Sequence, residues 1–329
     1  MTAAIPMVEI WRGDFLESLH RGHAVVCSAS GGVIEAWGDP ESIILPRSSC
    51  KMVQALPLIE SGAADAFGLT AEQLALSCAS HNGAAIHTDR VQYWLKDLGL
   101  SDADFRCGPQ TPNDPEARDA LTRGHESPCQ YHNNCSGKHA GFLTLNKHMG
   151  GDSDYIDPNH PIQLAVRDAF ETLTNMTSPG YGIDGCSAPN FATTVHGLAR
   201  AMAFFANADD STTRGCAAKR LVHAMTTHPD LVAGEGRACT ELMRAMDGRV
   251  VVKTGAEGVF IAILPEQKLG VAVKIEDGTT RASECAMASI LVRLGALNPE
   301  HPAALKRRNA PILNRRKVTT GIMRPSDAF

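Results

Sequence analysis

An α/β chain of the α+β kind, with a central, mostly antiparallel sheet flanked by helices and interrupted by a helical region, is what this sequence predicts. Short, alternating apolar segments occupy roughly its first 45 residues. Helix-period patterns fill the middle. Strand-like runs and one helix return near the end, as a sheet assembled from both chain ends requires. The regular strand–helix alternation of a dinucleotide fold is missing, and so are G-x-G-x-x-G, a Walker loop, H-E-x-x-H and G-x-S-x-G.

In chain order, Val8–Arg12 alternates as a short strand. Ala24–Ser28 and Val33–Trp37 flank Ala29-Ser30-Gly31-Gly32, a hairpin turn. A helix is expected from Ser48, because Met52, Ala55, Leu56 and Ile59 recur at i, i+3, i+4 and i+7. Pro57 removes one of its hydrogen bonds and is expected to kink it. Thr70 caps the next helix, and Gln73 completes a capping box. Gly108–Glu116 and Gly150–Pro161 are turn-rich loops. Helices are expected over Gln163–Thr172 and much of Thr193–Ala206. Strands follow over Arg249–Lys253, Gly258–Leu264 and Gly270–Ile275, and a closing helix over Ser283–Leu294, with Thr279 or Thr280 near its start. Lys306–Arg324 carries seven Lys/Arg and no Asp/Glu. Interleaved with Ile312, Leu313, Val318, Ile322 and Met323, it reads as an edge strand with a solvated basic face.

The 329 residues fit one domain over 1–329, or two intimately packed subdomains. Hydrophobic residues at 43% and charged residues at 20% suit an ordinary globular core. A formal net charge of −5 supplies no pull toward nucleic acid. No run approaches the ~18 apolar residues of a membrane span. The opening MTAAIPMVEI has neither the basic nor the apolar region of a secretion signal. A cytoplasmic protein without nucleic-acid or membrane partners is expected, its ten cysteines reduced.

The sharpest chemical signal is Ser48-Ser49-Cys50-Lys51, an S-x-x-K. A serine hydroxyl needs a base to attack at neutral pH. At i and i+3 on a helix, serine and lysine project to the same side, so a lysine of lowered pKa can take the proton. Ser80-His81-Asn82 has the form S-x-N, and Lys253-Thr254-Gly255 ends a predicted strand. S-x-x-K, S-x-N and K-T-G in that order mark serine β-lactamases and penicillin-binding proteins. Here the first interval is short and the second long, which points to a distant relative with another substrate.

A third cluster is His132-Asn133-Asn134-Cys135-Ser136-Gly137-Lys138-His139, and Asp184-Gly185-Cys186-Ser187-Ala188-Pro189-Asn190 matches it. Two thiolates with a nitrogen donor suit Zn²⁺; the other reading is a pair of buried turn cysteines. The remaining histidines have ordinary contexts and read as structural or surface groups.

Together, Arg47–Lys51, Ser80–Gly83, Asn134–His139, Asp184–Ser187 and Lys253–Gly258 resemble the rhizobial-type, or class 3, L-asparaginases over essentially the whole chain. The resemblance implies a fold similar to the serine β-lactamase and penicillin-binding group, and a homodimer. It implies two Ser-Lys pairs, Ser48 with Lys51 and Ser80 with Lys253, beside a zinc held by Cys135, Lys138 and Cys186. Lysine is an unusual zinc ligand, because it must first lose its proton. Arg47, His139 and Asp184 match pocket-lining positions, and Cys239 matches a family cysteine without an evident role. The expected reaction is attack of Ser48 Oγ on the side-chain amide of L-asparagine, with Lys51 as base supported by Ser80 and Lys253. Backbone N–H groups would hold the oxyanion. Asp184 would hold the substrate's α-ammonium, and Arg47 or the zinc its α-carboxylate. Zinc would position substrate more than generate hydroxide. The alternatives are a glutaminase, a β-lactam or peptide hydrolase, or a non-catalytic ligand sensor of the same fold.

Overall fold

The computed structural model describes residues 3–329. The chain opens with β1 (Ile5–Arg12), β2 (Phe15–Cys27) and β3 (Val33–Trp37), joined as antiparallel hairpins. The turn into β3 is closed by Ser28 N–H donating to Gly32 O at 2.9 Å, with Gly31 at a φ of 80° that glycine adopts freely. A short β4 (Ile43–Ile44) leads to a 3₁₀ turn, Arg47–Cys50. Then come α1 (Lys51–Gln54), α2 (Leu56–Glu60), α3 (Ala63–Ala66), α4 (Ala71–Ser77), α5 (Ala85–Asp97), α6 (Pro115–Gly124), α7 (Ser136–Met149) and α8 (Pro161–Thr174). Two ribbons, β5 (Tyr181–Ile183) with β6 (Pro189–Phe191), and β4 with β7 (Thr193–Thr194), precede α9 (Val195–Ala206). After α10 (Thr213–Thr227), α11 (Pro229–Val232) and α12 (Ala238–Ala245), the chain returns to the sheet as β8 (Val251–Thr254), β9 (Val259–Leu264) and β10 (Leu269–Ile275). It closes with α13 (Thr280–Arg293), α14 (Pro302–Arg308), β11 (Ala310–Leu313) and β12 (Thr319–Pro325).

The eight-stranded sheet runs β11-β12-β1-β2-β10-β9-β8, with β3 on β2, and its pairs are antiparallel. The expected α+β architecture, one sheet built from both chain ends around a helical middle, is therefore present. β9 is buried at all six positions, as a strand covered on both faces must be. α9 covers one face of the central strands and α13 the other. Gly270 lets β10 approach α9, since a Cβ there would lie 2.1 Å from Ala203 N.

Three local expectations need correction. The helix expected from Ser48 is broken: Ser48 lies in the 3₁₀ turn, α1 lasts one turn, and α2 restarts with Pro57 in its first turn. Pro57 has no N–H to continue the ladder, so it starts a helix instead of kinking one. The basic stretch Lys306–Arg324 is not one edge strand but the end of α14 followed by the β11–β12 hairpin. The loop expected over Gly108–Glu116 ends early, because Asp114 caps α6 by accepting from Ala117 N–H at 2.9 Å.

Candidate active site

Four segments meet where the 3₁₀ turn, the loop after α4, the start of α7 and the end of β8 converge. The loop Ser80–Gly83 is fixed at both sides. Ser80 N–H donates to Val232 O at 2.9 Å and His81 N–H to Asn134 O at 3.2 Å. The His81 Nδ1 accepts from Gly83 N–H at 3.2 Å, which leaves Nε2 as donor to Ser136 Oγ at 2.9 Å. Burial holds that imidazole neutral, with its pKa well below the ordinary range. α7 packs tightly on α4 because Gly137 has no side chain; a Cβ there would lie 2.3 Å from Leu76 O. These contacts set Cys135 and Lys138 beside the Ser80 loop.

The centre of the arrangement is Ser80 Oγ. Lys51 Nζ donates to it at 3.0 Å and Lys253 Nζ at 2.7 Å. Both lysines are fully buried, and Ser80 is 6% exposed. Lys51 also donates to Ala79 O and, at 3.2 Å, to Cys135 Sγ, so three acceptors surround its amine. Lys253 donates in addition to Thr254 O at 2.8 Å. Burial, and then the Lys51 charge, push Lys253 down to about 7.

Ser48 stands apart from this network. Its residue is half-buried, and among the described residues no side-chain hydrogen bond ties it to Lys51 or Ser80. The i, i+3 spacing thus places Ser48 and Lys51 on one turn without joining them, while Lys51 reaches across to Ser80. Ser49, between them, is committed to Pro46 O at 2.7 Å.

Cys135, Lys138 and Cys186 form a second cluster that shares Cys135 with the first. Lys138 Nζ donates to Cys186 Sγ at 3.1 Å. Cys135 Sγ donates to Asn134 Oδ1 at 3.0 Å; the neighbouring Cys186 and burial keep Cys135 a thiol, and the contact with Cys135 and the Lys138 charge hold the Cys186 pKa well down. Burial opposes a charged Lys138, but the neighbouring sulfurs outweigh it and raise its pKa. The imidazole of His139 lies against Cys186. Its Nδ1 shares a 2.9 Å hydrogen bond with Tyr155 Oη, and its buried Nε2 completes none.

Arg47 and Asp184 face each other. Nε and Nη2 of Arg47 donate to Asp184 Oδ1 at 3.0 and 2.8 Å, and Gly185 N–H joins them on the same oxygen at 2.7 Å. Arg47 sits at a φ of 55°, a strained conformation for a side chain with a Cβ, steadied by its N–H to Asn190 Oδ1 at 3.3 Å.

Two further residues brace the site. Cys239, at the start of α12, accepts from Thr254 N–H at 3.3 Å and so braces the end of β8 that carries Lys253. Gly255 brings that end against the Ser48 turn: a Cβ there would lie 2.6 Å from Pro46 O and 3.2 Å from Ser49 N. The glycine after Lys253-Thr254 was the available signal for close backbone approach. Nothing in the sequence marked Cys239's partner.

A family model described as L-asparaginase II matches residues 8–325. No curated protein sequence matches the chain. Among solved structures, it is similar to a β-lactamase from Mycobacterium bovis at 14% identity and a TM-score of 0.44, over 83% of this chain and 94% of that one. It is also similar to Mglu in its native form at 15% identity and a TM-score of 0.47, over 85% of this chain and 66% of that one.

Proposed function

The chain belongs to the L-asparaginase II family, and from that premise we propose that it hydrolyses L-asparagine to L-aspartate and ammonia through an ester on Ser48. The observation that supports this best is the convergence of two buried lysine amines on Ser80 Oγ, at 3.0 and 2.7 Å. Two ammonium groups on one buried hydroxyl repel, so the pair sheds a proton near neutrality, and Lys253 is the amine that gives it up. The proton left on the pair is shared through Ser80 Oγ, and the share that rests on Lys253 leaves Lys51 as the base. Lys51 is then free to deprotonate Ser48, three residues before it in the same turn. Such contacts commonly tighten only when substrate arrives.

Ser48 suits the nucleophile's part better than Ser80. Ser48 is half-buried and, among the described residues, its hydroxyl makes no hydrogen bond, whereas Ser80 is buried and accepts from both lysines, which leaves its own proton for relay. Attack of Ser48 Oγ on the amide carbon makes a tetrahedral oxyanion, which backbone N–H groups would stabilise. Ser80 returns the proton to the departing ammonia, and water then releases aspartate. Asp184 Oδ2, which Arg47 leaves uncovered, would take the substrate's α-ammonium.

The donors at Cys135, Cys186 and Lys138 fit zinc: two sulfurs and an amine converge, beside an imidazole Nε2 that lacks a partner. Among the described residues no three His, Cys, Asp or Glu side chains form such a group, so Lys138 is needed as the third ligand. A bound zinc would supply positive charge for orienting substrate. Lys138 and Cys135 must each release a proton to bind it.

The test is ammonia release from L-asparagine and L-glutamine. We expect a clear preference for asparagine; equal or better turnover of glutamine would replace the substrate while leaving the mechanism standing. Elemental analysis of metal-replete protein should give about one zinc per chain, falling in Cys135→Ser/Cys186→Ser. Zinc-free wild type would remove the metal from the account.

A further inference from the structure

Asparagine, an amino acid with a side-chain amide, carries an α-carboxylate, and Arg47 is a poor choice to receive it, since two of its nitrogens are engaged with Asp184. A second arginine, Arg237, lies on a loop that links the S-x-N and K-T-G segments. Arg237 is the N-cap residue of α12, at the end of a short loop whose geometry is tied to both flanking motifs. At one end Gly234, at a φ of 110°, packs on the Asn82 side chain of S-x-N; a Cβ there would lie 2.5 Å from Asn82 Cγ. Two residues past Arg237, Cys239 binds the Thr254 N–H of K-T-G. The loop is closed internally by Arg237 N–H to Gly234 O at 3.3 Å and Thr240 Oγ1 to the same oxygen at 2.7 Å. Arg237 is therefore carried on a braced segment between Ser80-His81-Asn82 and Lys253-Thr254-Gly255.

Arg237 is half-buried, and among the described residues its guanidinium makes no hydrogen bond or ion pair. The acids around it are committed elsewhere. Glu235 pairs with Arg244 at 2.7 and 2.8 Å, Glu241 with Lys306 and Arg307 at 2.7 and 2.6 Å, and Glu284 with Arg307 at 3.4 Å. An arginine held beside a catalytic lysine with its fork empty is a carboxylate receptor awaiting its ligand. We infer that Arg237 anchors the α-carboxylate of the amino acid whose side-chain amide is cleaved, and so determines that the substrate is a free amino acid. The Arg237 charge also helps depress the pKa of Lys253 and His81, as expected of a cation near both, and Glu284 feels it without forming a pair.

This inference rests on the amidase reading, and the experiment separates the two. Wild type, Arg237→Ala and Arg237→Lys are assayed for ammonia release from L-asparagine, with 3-aminopropanamide, which is asparagine without its α-carboxylate, as a competitive inhibitor. Arg237→Ala should raise KM for asparagine about 10- to 150-fold, the range for a hydrogen bond to a charged group, with kcat within about threefold. Its Ki for 3-aminopropanamide should equal that of the wild type, because the lost contact is one this inhibitor never makes. Arg237→Lys should fall between, keeping charge but losing the fork. Unchanged KM in Arg237→Ala, or weakening of asparagine and 3-aminopropanamide by the same factor, overturns the role of Arg237 alone. A wild-type chain that releases no ammonia from asparagine overturns the amidase reading and the inference with it.

Discussion

Lys253 shows how one buried amine sets a measurable pH dependence. Its pKa is pushed down to about 7, first by burial and then by Lys51. A lysine that must be neutral to receive a proton works above its pKa and fails below it. The kcat/KM profile should therefore rise with pH along a limb near pH 7 and fall as the amine protonates. A flat profile between about pH 6 and 8 would mean that Lys253 does not titrate in the free enzyme. Lys253→Arg should not restore activity, because arginine stays charged throughout. The two serines separate on stability. Among the described residues Ser48 Oγ has no hydrogen-bond partner, so Ser48→Ala should shift stability by no more than about 0.5 kcal/mol while turnover falls by about 10⁴-fold or more. Ser80→Ala removes the acceptor shared by two buried amines and should cost about 1–3 kcal/mol in stability as well as activity. Quenched peptide mapping that finds the acyl group on Ser80, with Ser48 unmodified, would transfer the nucleophile's part to Ser80.

The strand β8 and the 3₁₀ turn show what a glycine does for two packed elements. Gly255 lets Lys253-Thr254 abut Pro46 and Ser49, and the atoms a new Cβ would meet are backbone atoms that cannot swing aside. Gly255→Ala must displace the Ser48 turn from the lysine pair by a few tenths of an ångström or more. Because misplacement of about 1 Å can cost about 10²-fold in rate, kcat should drop by about that factor while far-UV circular dichroism keeps its helical signal. Wild-type kcat in Gly255→Ala would show that Ser48 does not depend on this contact. The same pair of elements marks what the sequence could and could not convey. Gly255 and the run into β8 were legible, because K-T-G ending an apolar strand is a local pattern. The direction of Lys51 was not: its amine reaches Ser80, 29 residues away, and Lys253 reaches the same oxygen across 173 residues. Spacing along one turn says which side a lysine leaves from, but the partner depends on how α4, α7 and β8 pack. α7 also went unannounced, since its burial from Ser136 to Asn146 leaves no polar face for a helical period to show.

The sheet as a whole was legible in outline because strand patterns at both chain ends have no partners except each other. Its pairing was not legible, since β1, β12 and β10 carry nothing that identifies their neighbours. The resulting order puts distance between stability and chemistry. β1 lies four strands from β8, with β2, β10 and β9 between them. Ile10 on β1 is 2% exposed and opposite Met323 of β12, where the two chain ends are joined. Ile10→Ala should therefore cost about 2–5 kcal/mol through lost burial and the cavity left behind. Unfolding entropy scales with chain length, so for a chain of 329 residues that cost corresponds to a fall in Tm of about 3–7 °C. The lysine pair shares no partner with Ile10, and sites this far apart usually respond independently. At temperatures where the variant is fully folded, kcat and KM should stay within about twofold of wild type. A parallel loss of Tm and kcat would show that strain at the junction of the chain ends reaches β8 through the intervening strands, and the separation of stability from catalysis would fail.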